Sequence, residues 1–275
     1  MNFPRRVIFG ANASGVAAHI RRPENKILKV QAASSLPVTG GLSESKAGPG
    51  GLEDYLQYQS AETSAHGDYI DEKAAEAMTR GKVPFDAVQA KSTVTAKVRG
   101  LHVGRRLMIR IADAGMVAYS PMDGAKQPAI HLSGNRLEGV RIDNSALRIT
   151  LNESIFCEYD TLEKLSNAFP KFSDPHAGMF VNPNGSERCK ALPISNGMVA
   201  CTIVEKMEWE GRPHPEATID GNLLIVPEFD KVYFEGMLLS KNSRHLTMVR
   251  IQLGSPEGGE ISASEVEDPV VNWPA

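Results

Sequence analysis

Few places in this chain have the residue types and spacing that chemistry needs. The first runs from Arg6 to Ile20, Arg-Val-Ile-Phe-Gly-Ala-Asn-Ala-Ser-Gly-Val-Ala-Ala-His-Ile. A short apolar strand followed by Gly10 and Gly15 has the outline of a dinucleotide-binding turn. In such a turn, glycines let the backbone approach a pyrophosphate at a helix N-terminus. Here Asn12 stands in place of the middle glycine, and its side chain would obstruct that approach. Pro23 would stop a helix after Gly15 within about two turns. The next apolar run, Ile27 to Val30, leads to Gln31 and Ala32, with no acid to hold a ribose. The plainer expectation is a hairpin around Asn12 to Gly15 with Val16, Ala18 and Ile20 facing inward.

Ser43-Glu44-Ser45-Lys46 has the Ser-x-x-Lys spacing of acyl-transfer enzymes. No Lys-Thr-Gly partner occurs, and Gly40 to Gly51 reads as an exposed loop rich in Gly and Ser. Asp113, Glu138, Glu153 and Glu205 are carboxylates from which a glycosidase-type pair could be assembled. Their separation in space would decide that, and sequence spacing does not give it. Of the seven histidines only His214, between Pro213 and Pro215, has a distinctive setting, and a stiffened loop is expected there. Cys157, Cys189 and Cys201 are odd in number and lack paired spacing, so neither a disulfide framework nor a zinc site is expected. No cofactor is expected either, and no catalytic residue is assigned.

The elements that must position any such group are strands. From Ser92 to Ser120, β-branched and polar residues alternate with the period of two that marks a half-buried strand. Val94, Ala96 and Val98 are even-numbered; beyond Gly100, Leu101 and Val103 are odd. A face switch at a glycine predicts a β-bulge there. With Gly104-Arg105-Arg106 as the loop, Val103 pairs with Leu107 and Leu101 with Ile109. A bulge in this one strand then sets Val98 against Ile111 and Ala96 against Asp113. On that register Asp113 shares a face with Val98, Leu107, Ile109 and Ile111. The preferred expectation is that the strand bends into water after Ile111. The sharper one is that Asp113 lines a cavity and contacts a ligand or a partner's cation.

Elsewhere the pattern predicts a hairpin across Asp143-Asn144-Ser145, another at Asp220-Gly221, and a third across Ser240 to Ser243. Helices are expected at Asp71 to Arg80 and after Asp160-Thr161-Leu162-Glu163, which has capping-box character. Leu52 to Gln59 reads as a short helix or irregular, Ala61 to Ile70 is ambiguous, and Pro170 to Leu192 has loop composition suited to a lid or a solvated connection.

The fold class is therefore mainly β: antiparallel sheets forming a sandwich or barrel, with two or three short helices. The 275 residues suit one large β-rich domain, with a possible subdivision near 170–192. A net charge of -3 leaves no electrostatic footprint for nucleic acid, and no apolar run is long enough for membrane insertion. The apolar run near the N-terminus is too short for a signal peptide, so a cytoplasmic location is expected. The preferred function is a non-enzymatic binding or assembly module, with a homo-oligomer or a protein as partner. The alternatives are a carboxylate-dependent hydrolase in a β-sheet cleft and a nucleotide-dependent enzyme using Gly10 to Gly15.

Overall fold

The structure is a computed structural model that describes residues 7–70, 89–121, 128–168, 173–174, 178–181, 199–240, 243–269 and 271–272. Two sheets stack face to face as a sandwich; they do not close into a barrel. The first is built on the hairpin predicted above, Gln89–Val103 with Leu107–Pro121. It continues on one side through Val140–Ile142 and Ser145–Leu151 to Val204–Glu210. On the other side Gln89–Val103 pairs with Leu56–Tyr58 and Ser60–Tyr69, and Gly41–Ala47 lies beyond Ser60–Tyr69. The second sheet runs from Val199–Cys201 through Asp230–Leu239, Ser243–Leu253, Gly258–Pro269 and Asn12–Arg22 to Lys26–Ser35. Every described strand pair is antiparallel except Gly178–Val181 with Val199–Cys201.

The hydrophobic pattern explains the stacking. Leu101, Leu107, Ile109, Val249, Ile251 and Ile261 are almost wholly buried between the sheets, each contributing about 1.5–3 kcal/mol over an exposed position. Much of the interface is alanine, with Ala13, Ala61, Ala65, Ala96, Ala112 and Ala263 all buried, so the backbones approach closely. Hydroxyls then bridge the sheets: Ser264 Oγ donates to the Ala112 carbonyl at 2.6 Å, and Ser34 and Thr63 share a hydrogen bond of 2.8 Å.

One irregularity organises both sheets. Inward residues run Val94, Ala96, Val98, then Leu101 on one strand, and Ile109, then Ala112 and Ala114 on its neighbour. The spacing of two becomes three at one level on both strands. Pairing continues unbroken across it, with Arg99 opposite Ile111 and Leu101 opposite Ile109. Gly100 has φ +58° and Gly104, opening the loop, +56°, as the face switch and the turn require. The expected one-sided bulge is corrected, because the partner strand slips too. Val98 therefore faces Ala112, and Asp113 pairs with Lys97 instead of Ala96. The second sheet repeats the device across Ala32, Gly15, Ser264, Met248 and Glu235, where every flanking register is kept. Positive φ occurs on alternate strands of that row: 56° at Ala32, 55° at Ser264 and 45° at Glu235.

Several local expectations change. Asn12 to Gly15 is not a hairpin, nor a turn before a helix, but part of the continuous strand Asn12–Arg22. Val16, Ala18 and Ile20 are inward as predicted. A Cβ on Gly15 would lie 2.5 Å from the Gln31 carbonyl oxygen and 2.7 Å from Ala61 Cβ. That glycine serves sheet packing. Gly40 to Gly51 is not a loop but contains the strand Gly41–Ala47, and Leu52 to Gln59 holds a small hairpin instead of a helix. In the Asp-Gly hairpin, Asp220 pairs with Leu223, so the turn is Gly221-Asn222. Asp71 to Arg80 lies outside the described residues, as does most of 170–192, where Ser173–Asp174 and Gly178–Val181 are short strands. Two short helices are described, Ile155–Glu158 and Leu162–Ala168. Thr161 Oγ1 caps the second by accepting from the Lys164 amide at 3.2 Å.

Candidate functional site: a trough on the second sheet

The outward face of the second sheet carries small residues at its centre. Ala17 lies opposite Ser262, Ser262 opposite Arg250, and Arg250 opposite Tyr233; one step on, Glu265 lies opposite Thr247 and Thr247 opposite Gly236. Ala17, Ser262 and Gly236 cannot fill the space that their larger neighbours enclose. A Cβ on Gly236 would meet nothing within 4 Å. The result is a half-open cavity of about 540 Å³. Ile27, Leu223 and Leu238 give it apolar walls, while His19, Lys29, His245 and Arg250 supply polar groups.

These groups are largely satisfied within the chain. Arg250 forms an ion pair with Glu260. Glu265 accepts from Ser14 Oγ at 3.2 Å and from Thr247 Oγ1 at 3.3 Å, and His19 Nε2 lies 2.7 Å from Asn25 Oδ1. Lys29 stands exposed at the rim. Ile27 and Val30, 60% and 48% exposed, extend the apolar surface outward along the same strand.

Glu235 lies on the strand that brings Tyr233 and Gly236 to the trough. It follows Phe234 and precedes Gly236, and it is fully buried. The chain crosses from the second sheet to the first between Val199–Cys201 and Val204–Glu210. Backbone amides in such a crossover lack a strand partner, and the Glu235 carboxylate accepts one from Ile203 together with Thr202 Oγ1 at 2.6 Å. Asn222 Nδ2 donates to the carbonyls of Phe234 and Glu235 at 2.9 and 3.0 Å. Among the described residues Glu235 Oε1 has no hydrogen-bond partner. Burial pushes the carboxyl up to about 7, against the hydrogen bonds from Thr202, Ile203 and Val204. Cys201, opposite Met237, is fully buried beneath the trough, and burial, reinforced by the charge of Glu235, pushes its thiol well up. It is held as the unreactive thiol.

The residues singled out from sequence fall elsewhere and are not drawn together. Asp113 is 2% exposed although it lies on the outward face of the first sheet. The preferred expectation of a solvated bend is thus corrected. Its cover is guanidinium: Arg99 donates to both oxygens, and Arg136 Nε and Nη2 donate to Oδ2 at 2.9 and 2.7 Å. It does contact cations, but those of its own chain. Glu138 pairs with Arg110 at 2.5 Å, and Glu153 accepts from the backbone and side chain of Asn135 at 2.7 and 2.8 Å. Glu205 is exposed. His214 stiffens its loop as expected. Its Nδ1 accepts the amides of Glu216 and Ala217 at 3.2 and 3.0 Å, which places the ring proton on Nε2, 2.9 Å from Asp143. The Arg106 guanidinium, then His214, hold the Asp143 carboxyl below its ordinary range.

Glu235 and the trough escaped sequence reasoning. The signal for the first was present, since Val232 and Phe234 are followed by Met237 and Leu239 in the same three-residue slip seen at Gly100. Nothing in the sequence alone tells that the outward small residues Ala17, Ser262 and Gly236 come together. Among the described residues no group of three or more His, Cys, Asp or Glu side chains could hold a metal ion. No described helix is long and apolar enough to cross a membrane.

The fold and site define an antiparallel β sandwich with a trough on one outer face. The family described as "Domain of unknown function (DUF8256)" matches residues 7–240, and the chain belongs to it. No curated protein and no solved structure matches the chain. The matched region ends just before Ser243–Leu253 and Gly258–Pro269, the two strands that join Asp230–Leu239 to Asn12–Arg22. His245, Thr247, Arg250 and Ser262 of the trough therefore lie beyond it.

Proposed function

We propose that this chain is a non-enzymatic binding module and that its ligand, a small and mainly apolar molecule with one or two polar groups, occupies the trough. The cavity of about 540 Å³ carries this reading, because small-ligand sites are concave, mostly apolar spaces of roughly 300–1,000 Å³ with a few polar groups that fix orientation. The chemistry beside it favours binding over turnover. Arg250 and Glu260 neutralise each other, Cys201 is kept protonated, and Glu235 is spent on the crossover. A panel of small apolar acids, amines and neutral compounds tests the proposal by thermal shift. A binder at a hundred times its dissociation constant should stabilise the fold by about 2.7 kcal/mol. If no compound class raises the melting temperature, the trough is not a ligand site.

A further inference from the structure

We infer that the strand Gly41–Ala47 is where two copies of this chain meet, edge to edge in one sheet. This strand is hydrogen-bonded to Ser60–Tyr69 on one side, and among the described residues no strand lies on the other. Every residue from Gly41 to Ala47 is exposed or half-exposed. An uncovered edge offers a row of backbone donors and acceptors to another strand. Charged residues on such an edge usually repel indiscriminate pairing, but here their order suits one partner, the same strand reversed.

Antiparallel pairing about a two-fold axis at Ser45 sets Glu44 across from the partner's Lys46, and Lys46 across from the partner's Glu44. Shifting the axis to Glu44 or Lys46 would put like charges face to face, which is unfavourable directly across a ladder. Both heads are available. Among the described residues Glu44 has no ion pair, and Lys46 reaches Glu62 only at 3.5 Å with both side chains largely in water. In the same register Leu42, 60% exposed, lies across from the partner's Gly48. A Cβ on Gly48 would meet nothing within 4 Å, so the leucine has room there. Val38 and Ile70, 64% and 53% exposed, flank the Leu42 end of the strand. Pro49 has no N–H to donate and limits the ladder to this strand. The contact is isologous: each copy uses its edge once, and the product is a closed dimer, not a fibre.

The surface is independent of the trough, and light scattering across a concentration series tests it. Wild type should rise from 29.8 kDa toward twice that mass. Glu44→Lys and Lys46→Glu should each stay monomeric where wild type is half dimer, and the doubly swapped chain should dimerise again. The inference is overturned if wild type remains monomeric up to ~1 mM. It is also overturned if the single swaps dimerise as wild type does. A double swap that stays monomeric while keeping the wild-type melting temperature would equally exclude it.

Discussion

Asp113 is almost wholly buried on an outward sheet face, beneath two guanidiniums. Its burial behind Arg99 and Arg136 predicts that Asp113→Asn removes two charge-assisted contacts and leaves two guanidiniums facing each other. Both arginines are partly solvated, so the loss in denaturant melts should be about 1–3 kcal/mol. Asp113→Leu should lose at least as much; a leucine variant as stable as wild type would show that the clamp contributes nothing. Glu235 gives a prediction in pH. A carboxyl raised to about 7 from 4.5 binds its proton more tightly in the folded chain. Stability is therefore highest below the unfolded value, falls as pH rises between the two, and is flat above about 7. Over that window the loss should be on the order of 3 kcal/mol. Glu235→Gln should abolish the slope, and a glutamine variant with the wild-type slope would assign it to another group. Asp143, whose carboxyl is lowered, contributes at the opposite end: its stabilisation is present above the unfolded carboxylate value and is lost in acid.

At the scale of elements, the shared register slip decides the face of every strand it crosses. Gly100→Val should cost about 1–3 kcal/mol, because φ is +58° and the added Cβ would sit 2.4 Å from the Gln59 side chain. Gly15→Val tests the opposing row: its side chain would press on Ala61 across the sandwich, and overpacking of that kind costs about 1–3 kcal/mol. Unchanged melting temperatures for both variants would contradict the rows as drawn. The sequence exposed one half of this device. Alternation broke visibly at Gly100, where glycine and β-branched neighbours make the pattern sharp. It was hidden on the partner strand because Ile111, apolar but outward, continues the run of Leu107 and Ile109, while the inward Ala112 and Ala114 are small. Gly41–Ala47 was illegible for a related reason. Its Gly, Ser, Glu and Lys have loop composition, and only pairing with Ser60–Tyr69 makes them a strand.

The whole molecule is a sandwich held by alanine-rich close approach and by aliphatic side chains buried between its sheets, with a trough on one outer face. Antiparallel sheets, as a sandwich or a barrel, were foreseeable from repeated period-two runs and turn residues; the choice of a sandwich was not. The trough was not, because it depends on Ala17, Ser262 and Gly236, hundreds of residues apart in part, standing on three different strands. Gly236 offers the most direct test of what the trough does. It lies in open space, so Gly236→Leu should fill the cavity without disturbing the ladder between Gly236 and Thr247. The decisive measurement is a fluorescence titration of the wild type and this variant with 8-anilinonaphthalene-1-sulfonate, an apolar anion. Saturable binding by the wild type is expected, with at least a tenfold weaker affinity in a variant that melts at the wild-type temperature. Equal affinity in the two proteins, or no saturable binding by the wild type, would contradict the trough as a ligand site.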